Sequence, residues 1–178
     1  KIKNQEYYPP SDAHPIHVHQ NKFTIHVKSQ LTTINKTNPI SFIEYCKNLQ
    51  LWKKHVLKHI FLEYPDSLAT CIQEGTPISI ATDGTKSRKQ SGGGWVITSS
   101  AGKIVTHGEN PDFGSMENVH SHRLEAYAIL SALVFLFEYS NYFSLPLNNK
   151  CTIYCDTKEI VKKVEQLTKT NNKFKQYQ

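Results

Sequence analysis

Three carboxylates in this chain stand where chemistry could be done. Glu125 lies in the stretch "SHRLEAYAILSALVFLFEYS", residues 121–140, where nothing else from Leu124 to Phe137 ionises except the hydroxyl of Tyr127. The run reads as a helix that is apolar nearly all round and therefore buried. A carboxylate beside such a surface costs several kcal/mol unless a cation or hydrogen-bond donors meet it. The plainer reading is an acid in the first helical turn, favoured by the helix dipole by about 0.3–1 kcal/mol. Asp83 ends "SIATDGT". Asp-Gly is common turn chemistry, but alternation puts Asp83 on the face of Ala81 and Ser79, small residues that leave room above a sheet. Asp156 follows "CTIYC", and with Glu159 three residues later it also fits a helix capping box.

Each acid has an ordinary explanation alone; together they suggest more. If the strands ending at Asp83 and Asp156 pair in parallel and the apolar helix crosses them, the three carboxylates converge. Uncompensated, they would repel and raise one another's pKa values. A divalent cation removes that conflict, and hard oxygen ligands select Mg²⁺ or Mn²⁺ over zinc.

The elements that must position these residues are legible in part. Residues 1–15 are polar and proline-bearing, as in a linker, and "IHVHQNKFTIHVKSQL" alternates as two short strands do. From Ser41, the residues Phe42, Tyr45, Leu49, Trp52, Val56 and Ile60 recur on one face, predicting a single amphipathic helix over about 41–63 that Pro65 ends. Residues 1–75 are thus expected to form a connecting segment, and 76–178 the main domain. In that domain "TPISIATDGT" predicts a strand, and "GGGWVITSSAGKIVTHGEN" two more joined by a turn at Ser100-Ala101-Gly102. The apolar helix, the strand "CTIYCD" and the amphipathic helix "TKEIVKKVEQL" follow. The expected class is α/β: a three-strand antiparallel meander, a helix, a parallel fourth strand and a helix.

Other reactive groups carry weaker expectations. The histidine pairs His17/His19 and His55/His59 have neither cysteine nor carboxylate company at zinc-ligand spacing and read as polar faces. Gly92-Gly93-Gly94 lacks the phosphate-loop pattern and reads as strand entry with close packing. The cysteines Cys46, Cys71, Cys151 and Cys155 form no C-x-x-C pair; Cys151 and Cys155, on one strand face about 13 Å apart, are too far for a disulfide. Reduced thiols suggest an intracellular setting, cytoplasmic or nuclear. No apolar run reaches the roughly 20 residues of a membrane helix. With 178 residues, 38% of them hydrophobic, the chain can bury a core, and a net charge of +6 favours anionic partners, nucleic acid first.

"ATDGT", "GGGWVI", "SHRLEAYAILSAL" and "IYCDTKEIVKKV", in this order over about residues 78–165, resemble the ribonuclease H family, in particular the domains attached to retroelement reverse transcriptases. "SFIEYCKNLQLWKKHVL" is similar to the segment leading into that domain. The resemblance implies a ribonuclease H-like sheet, hydrolysis of the RNA strand of RNA–DNA hybrids, and Asp83, Glu125 and Asp156 as catalytic ligands of two Mg²⁺ or Mn²⁺ ions. It also implies an upstream reverse transcriptase domain in the same polyprotein. Contacts to the RNA 2′-hydroxyls are then expected from Gly84, Thr85 and Ser121 to Arg123, His122 included, and phosphate contacts from Lys86, Arg88 and Lys89; His120 also flanks this region. The chain departs from the family in having no fifth strand and no fourth acid before Gln178, so a C-terminally incomplete domain is expected. The alternative is a catalytically inactive module of the same fold that binds nucleic acid or acts as a scaffold.

Overall fold

The computed structural model describes residues 21–28, 40–86, 91–99, 101–111, 121–164 and 166. The elements are β1 (Asn21–Lys28), α1 (Phe42–Lys47), α2 (Leu51–Val56), β2 (His59–Leu62), α3 (Pro65–Gln73), β3 (Ile78–Lys86), β4 (Ser91–Thr98), β5 (Ile104–Pro111), α4 (Ser121–Phe143) and β6 (Asn148–Cys155); a further helix, α5, covers 158–164. The six strands form one mixed sheet in the order β1-β6-β3-β4-β5-β2. The expected meander is β3-β4-β5, and β6 pairs in parallel with β3, Ile80 opposite Ile153. All other neighbours are antiparallel. The turn between β4 and β5 closes with Gly102 N–H donating to Ser99 O, and Gly102 takes the left-handed φ of 75° that glycine tolerates best.

Strand alternation sets the core. Ile78 and Ile80 of β3, Trp95 and Ile97 of β4, and Cys151, Ile153 and Cys155 of β6 turn inward under α4, which returns Ala128, Ala132, Phe135, Leu136 and Tyr139. All four cysteines are free and buried. A buried polar relay crosses this core: Trp95 Nε1–H donates to Ser131 Oγ at 2.8 Å, and the Ser131 hydroxyl donates to Val56 O at 2.7 Å, joining β4, α4 and α2.

The single helix expected over 41–63 is not formed. Asn48 ends α1, its backbone N–H turned back to Tyr45 O and Cys46 O and its side-chain amide to Glu44 O. Gln50 then starts α2, which stops at Val56, and residues 59–62 become the strand β2, His59 opposite Glu109. Trp52, assigned to the apolar stripe, is 49% exposed. The sequence "HIFL" is as good a strand as a helix, and ladder bonds to β5 decide between them. Pro65, read as a stop, is instead the first residue of α3, with Asp66 in the first turn. Residues 21–28 form one strand, antiparallel to β6 at the sheet edge; residues 16–20, where the other short strand was expected, lie outside the described residues.

Helix α4 settles onto the sheet at a pair of glycines. Gly84 and Gly93 face each other across β3 and β4. A Cβ on Gly84 would lie 2.7 Å from Glu125 N and 2.9 Å from Leu124 Cβ, and one on Gly93 2.9 Å from Leu124 O. Any side chain there would lift the start of α4 off the strands. Gly84→Ala is expected to cost about 1–3 kcal/mol in urea denaturation. Gly94→Ala, whose Cβ would meet only Gly108 O at 3.6 Å, should be nearly neutral.

Candidate metal centre

Asp83 stands on β3 just before that crossing, Asp156 directly after β6, and Glu125 in the segment of α4 above Gly84. The parallel pairing of β3 with β6 brings both strands to the same end of the sheet, and the glycine dimple lets α4 approach closely enough to add the third acid. Carboxylate oxygens of Asp83, Glu125 and Asp156 lie within 4.8 Å of one another. The three acids singled out from the sequence are therefore brought together, and among the described residues no other group of histidines, cysteines and carboxylates is placed to hold a metal.

The three differ in burial, and the difference sets their electrostatics. Glu125 is 1% exposed, while Asp83 and Asp156 are open to solvent. Gly84 N–H donates to Glu125 Oε1 at 2.7 Å, and Thr82 Oγ1 lies 3.5 Å from Oε2. Asp156 Oδ1 accepts from Thr157 Oγ1 at 3.0 Å. With α4 starting at Ser121, Glu125 is its fifth residue, past the first turn, so the dipole explanation weakens and the Gly84 N–H replaces it. Burial pushes the Glu125 carboxyl up to about 8, assisted by its hydrogen bond with Asp156 and by the negative charge of Asp156 and Asp83, and opposed by the Gly84 N–H. A protonated Glu125 relieves part of the repulsion among the three acids. Three hard oxygen donors whose negative charges crowd one another fit a divalent cation.

This arrangement gives a pH dependence of stability with a definite sign. Glu125 carries a folded-state pKa near 8 against an ordinary 4.5, so between these values the folded chain binds more protons than the unfolded one. Stability of the metal-free protein must fall as pH rises from about 4.5 to about 8, at up to about 1.4 kcal/mol per pH unit, and level off above. Thermal melts in chelator across this range should show the decline. Glu125→Gln, which keeps an acceptor for Gly84, should flatten it.

Some of the residues expected to touch nucleic acid lie on the same elements as the acids. Thr85 and Lys86 continue β3 beyond Gly84, and Ser121, His122 and Arg123 form the exposed start of α4. Gly84 has its N–H committed to Glu125; it holds that carboxylate in place. Arg88, Lys89 and His120 lie outside the described residues, as do His17 and His19. His55 and His59, expected one helical turn apart, are separated by the end of α2, His59 opening β2. Gly92–Gly94 lie within β4, where Gly93 serves close packing against α4.

One charged pair was not anticipated. Glu138, deep in α4 and 2% exposed, accepts from Lys53 Nζ at 2.5 Å and from the Tyr45 hydroxyl at 2.7 Å. Burial and this carboxylate raise the Tyr45 pKa. The signal was a second acid in an apolar helix, which needs a partner just as Glu125 does. No helix among the described residues is long and apolar enough to cross a membrane. No family model matches this chain, and no curated protein or solved structure does.

Proposed function

We propose that the chain is a metal-dependent endonuclease of the ribonuclease H type, hydrolysing the RNA strand of RNA–DNA hybrids. One observation carries the reading: three carboxylates from two parallel strand ends and a buried helix meet within 4.8 Å of one another. The mixed sheet, with its meander, crossing helix and parallel fourth strand, is the architecture that the motif order implies. Asp83, Glu125 and Asp156 would hold Mg²⁺ or Mn²⁺, two ions by the likeness to the family. Bound there, the metal supplies a Lewis acid that activates water and neutralises charge on the departing 3′ oxygen.

The chain's own residues do the positioning. Glu125, buried and tied to the Gly84 N–H, is the fixed ligand; Asp83 and Asp156, exposed, present oxygens toward solvent and substrate. Lys86, three residues beyond Asp83 on β3, and Arg123, two before Glu125 on α4, carry positive charge suited to backbone phosphate. Thr85 and Ser121, on the same two elements, offer hydroxyls to a ribose 2′-OH, the group that separates RNA from DNA. The same reading places a reverse transcriptase domain as covalent neighbour in a retroelement polyprotein.

The test is cleavage in Mg²⁺ of three end-labelled duplexes of one sequence: RNA–DNA, RNA–RNA and DNA–DNA. Cutting confined to the RNA strand of the hybrid supports the proposal; preference for DNA–DNA overturns it. A second reading, a nucleic-acid-binding module without catalysis, is favoured by the cluster's having three acids among the described residues rather than the family's four. Hybrid bound but left intact would establish it.

A further inference from the structure

Away from the metal centre, the far edge of the sheet has its own binding features. The strand order ends at β2, so among the described residues no strand pairs with its outer edge. Such an edge carries unsatisfied N–H and C=O groups that accept a further strand. Beside it, α1 and α2 overhang a groove of about 440 Å³. Ile43, Leu51 and Ile60 line it, with Leu51 83% and Ile43 41% exposed. Apolar side chains that open are uncommon when grouped, and grouped they mark contact surfaces. Lys47, Lys54 and Lys58 also line the groove and no carboxylate does; Glu44 reaches Lys47 from outside at 3.0 Å.

We propose that this edge and groove receive an extended segment of another protein, which adds a strand to β2 and presents both apolar side chains and Asp or Glu on the one face that turns into the groove. Because side chains alternate along a strand, a segment paired to β2 turns every second residue under α1 and α2. Among those residues the apolar ones meet Leu51 and Ile43, and the acidic ones meet Lys47, Lys54 and Lys58 of the same groove. An apolar floor gives a phosphate backbone nothing, which favours a peptide over nucleic acid. This inference is independent of the metal centre.

The experiment is selection of 12-residue peptides, displayed on phage, against the whole chain, followed by titration of the enriched peptides as synthetic ligands. The expected winners carry their apolar and acidic residues at every second position, on one face of the strand, and slow amide exchange in residues 59–62. They lose at least tenfold in affinity on Leu51→Glu and on the Lys54→Glu/Lys58→Glu double change, both at exposed positions that leave the fold intact. The proposal is overturned if no peptide is enriched, if enriched peptides lack acidic residues, or if their binding ignores these changes. It is equally overturned if the lysine changes weaken binding of an RNA–DNA hybrid but not of peptide, or if the chain alone forms a dimer that Leu51→Glu breaks.

Discussion

Asp83→Asn is expected to slow hydrolysis of an RNA–DNA hybrid by about a thousandfold, the scale on which removal of one preorganised charge-stabilising group acts. Mg²⁺ affinity should fall with it, because the neutral amide keeps a ligand oxygen but loses the charge. The same change should make the metal-free protein slightly more stable, by about 0.5–1 kcal/mol, since Asp83 contributes to the repulsion that raises Glu125. These opposite signs are the signature of a site held together for function at a cost in stability. A purely structural Asp83 would show the reverse: lower melting temperature, unchanged metal affinity. Calorimetric Mg²⁺ titration and a melt in chelator measure both on one sample.

The second large effect lies along α4, about 20 Å from Glu125 by helical rise. Lys53→Ala removes the cation from Glu138 and leaves a carboxylate that is 2% exposed with only the Tyr45 hydroxyl. Breaking one side of a buried pair costs about 3 kcal/mol or more, which for a chain of this size lowers the melting temperature by about 10 °C. Replacing both partners, Lys53→Met with Glu138→Leu, should recover most of that loss, because no buried charge remains. Neither change should alter Mg²⁺ affinity at the metal centre. If the double variant is as unstable as the single one, the pair contributes through packing rather than charge.

Much of the metal centre was legible because its signals are local. A carboxylate in an apolar helix is conspicuous, β-branched runs ending in Asp are recognisable strands, and the glycines 92–94 read as close packing; the same role at Gly84, expected to contact RNA, was not legible. The convergence of the three acids needed two topological assumptions, the parallel pairing that joins Ile80 to Ile153 and the crossing of those strands by α4. The features that escaped depend on partners distant in sequence. Phe42 to Ile60 keep helical spacing, yet residues 59–62 pair with β5 some fifty positions away, and local preference for helix or strand there is too weak to resist. Pro65 is compatible with a helix stop and a helix start, and only the packing of Leu68 and Ile72 into the core selects the start. Lys53 looks like any surface lysine until α2 lies on α4. The strand β1 joins the sheet through β6, from Asn21 opposite Cys155 to Lys28 opposite Asn148, and nothing in its alternation names that neighbour.

The central claim is that Asp83, Glu125 and Asp156 share a bound divalent cation. Crystals of the chain grown with Mn²⁺ and measured at a wavelength where manganese scatters anomalously locate the ion directly. A peak enclosed by these three carboxylates, lost in Asp83→Asn crystals, is the predicted result. Manganese absent from the cluster at millimolar concentration, or bound only elsewhere, would contradict it.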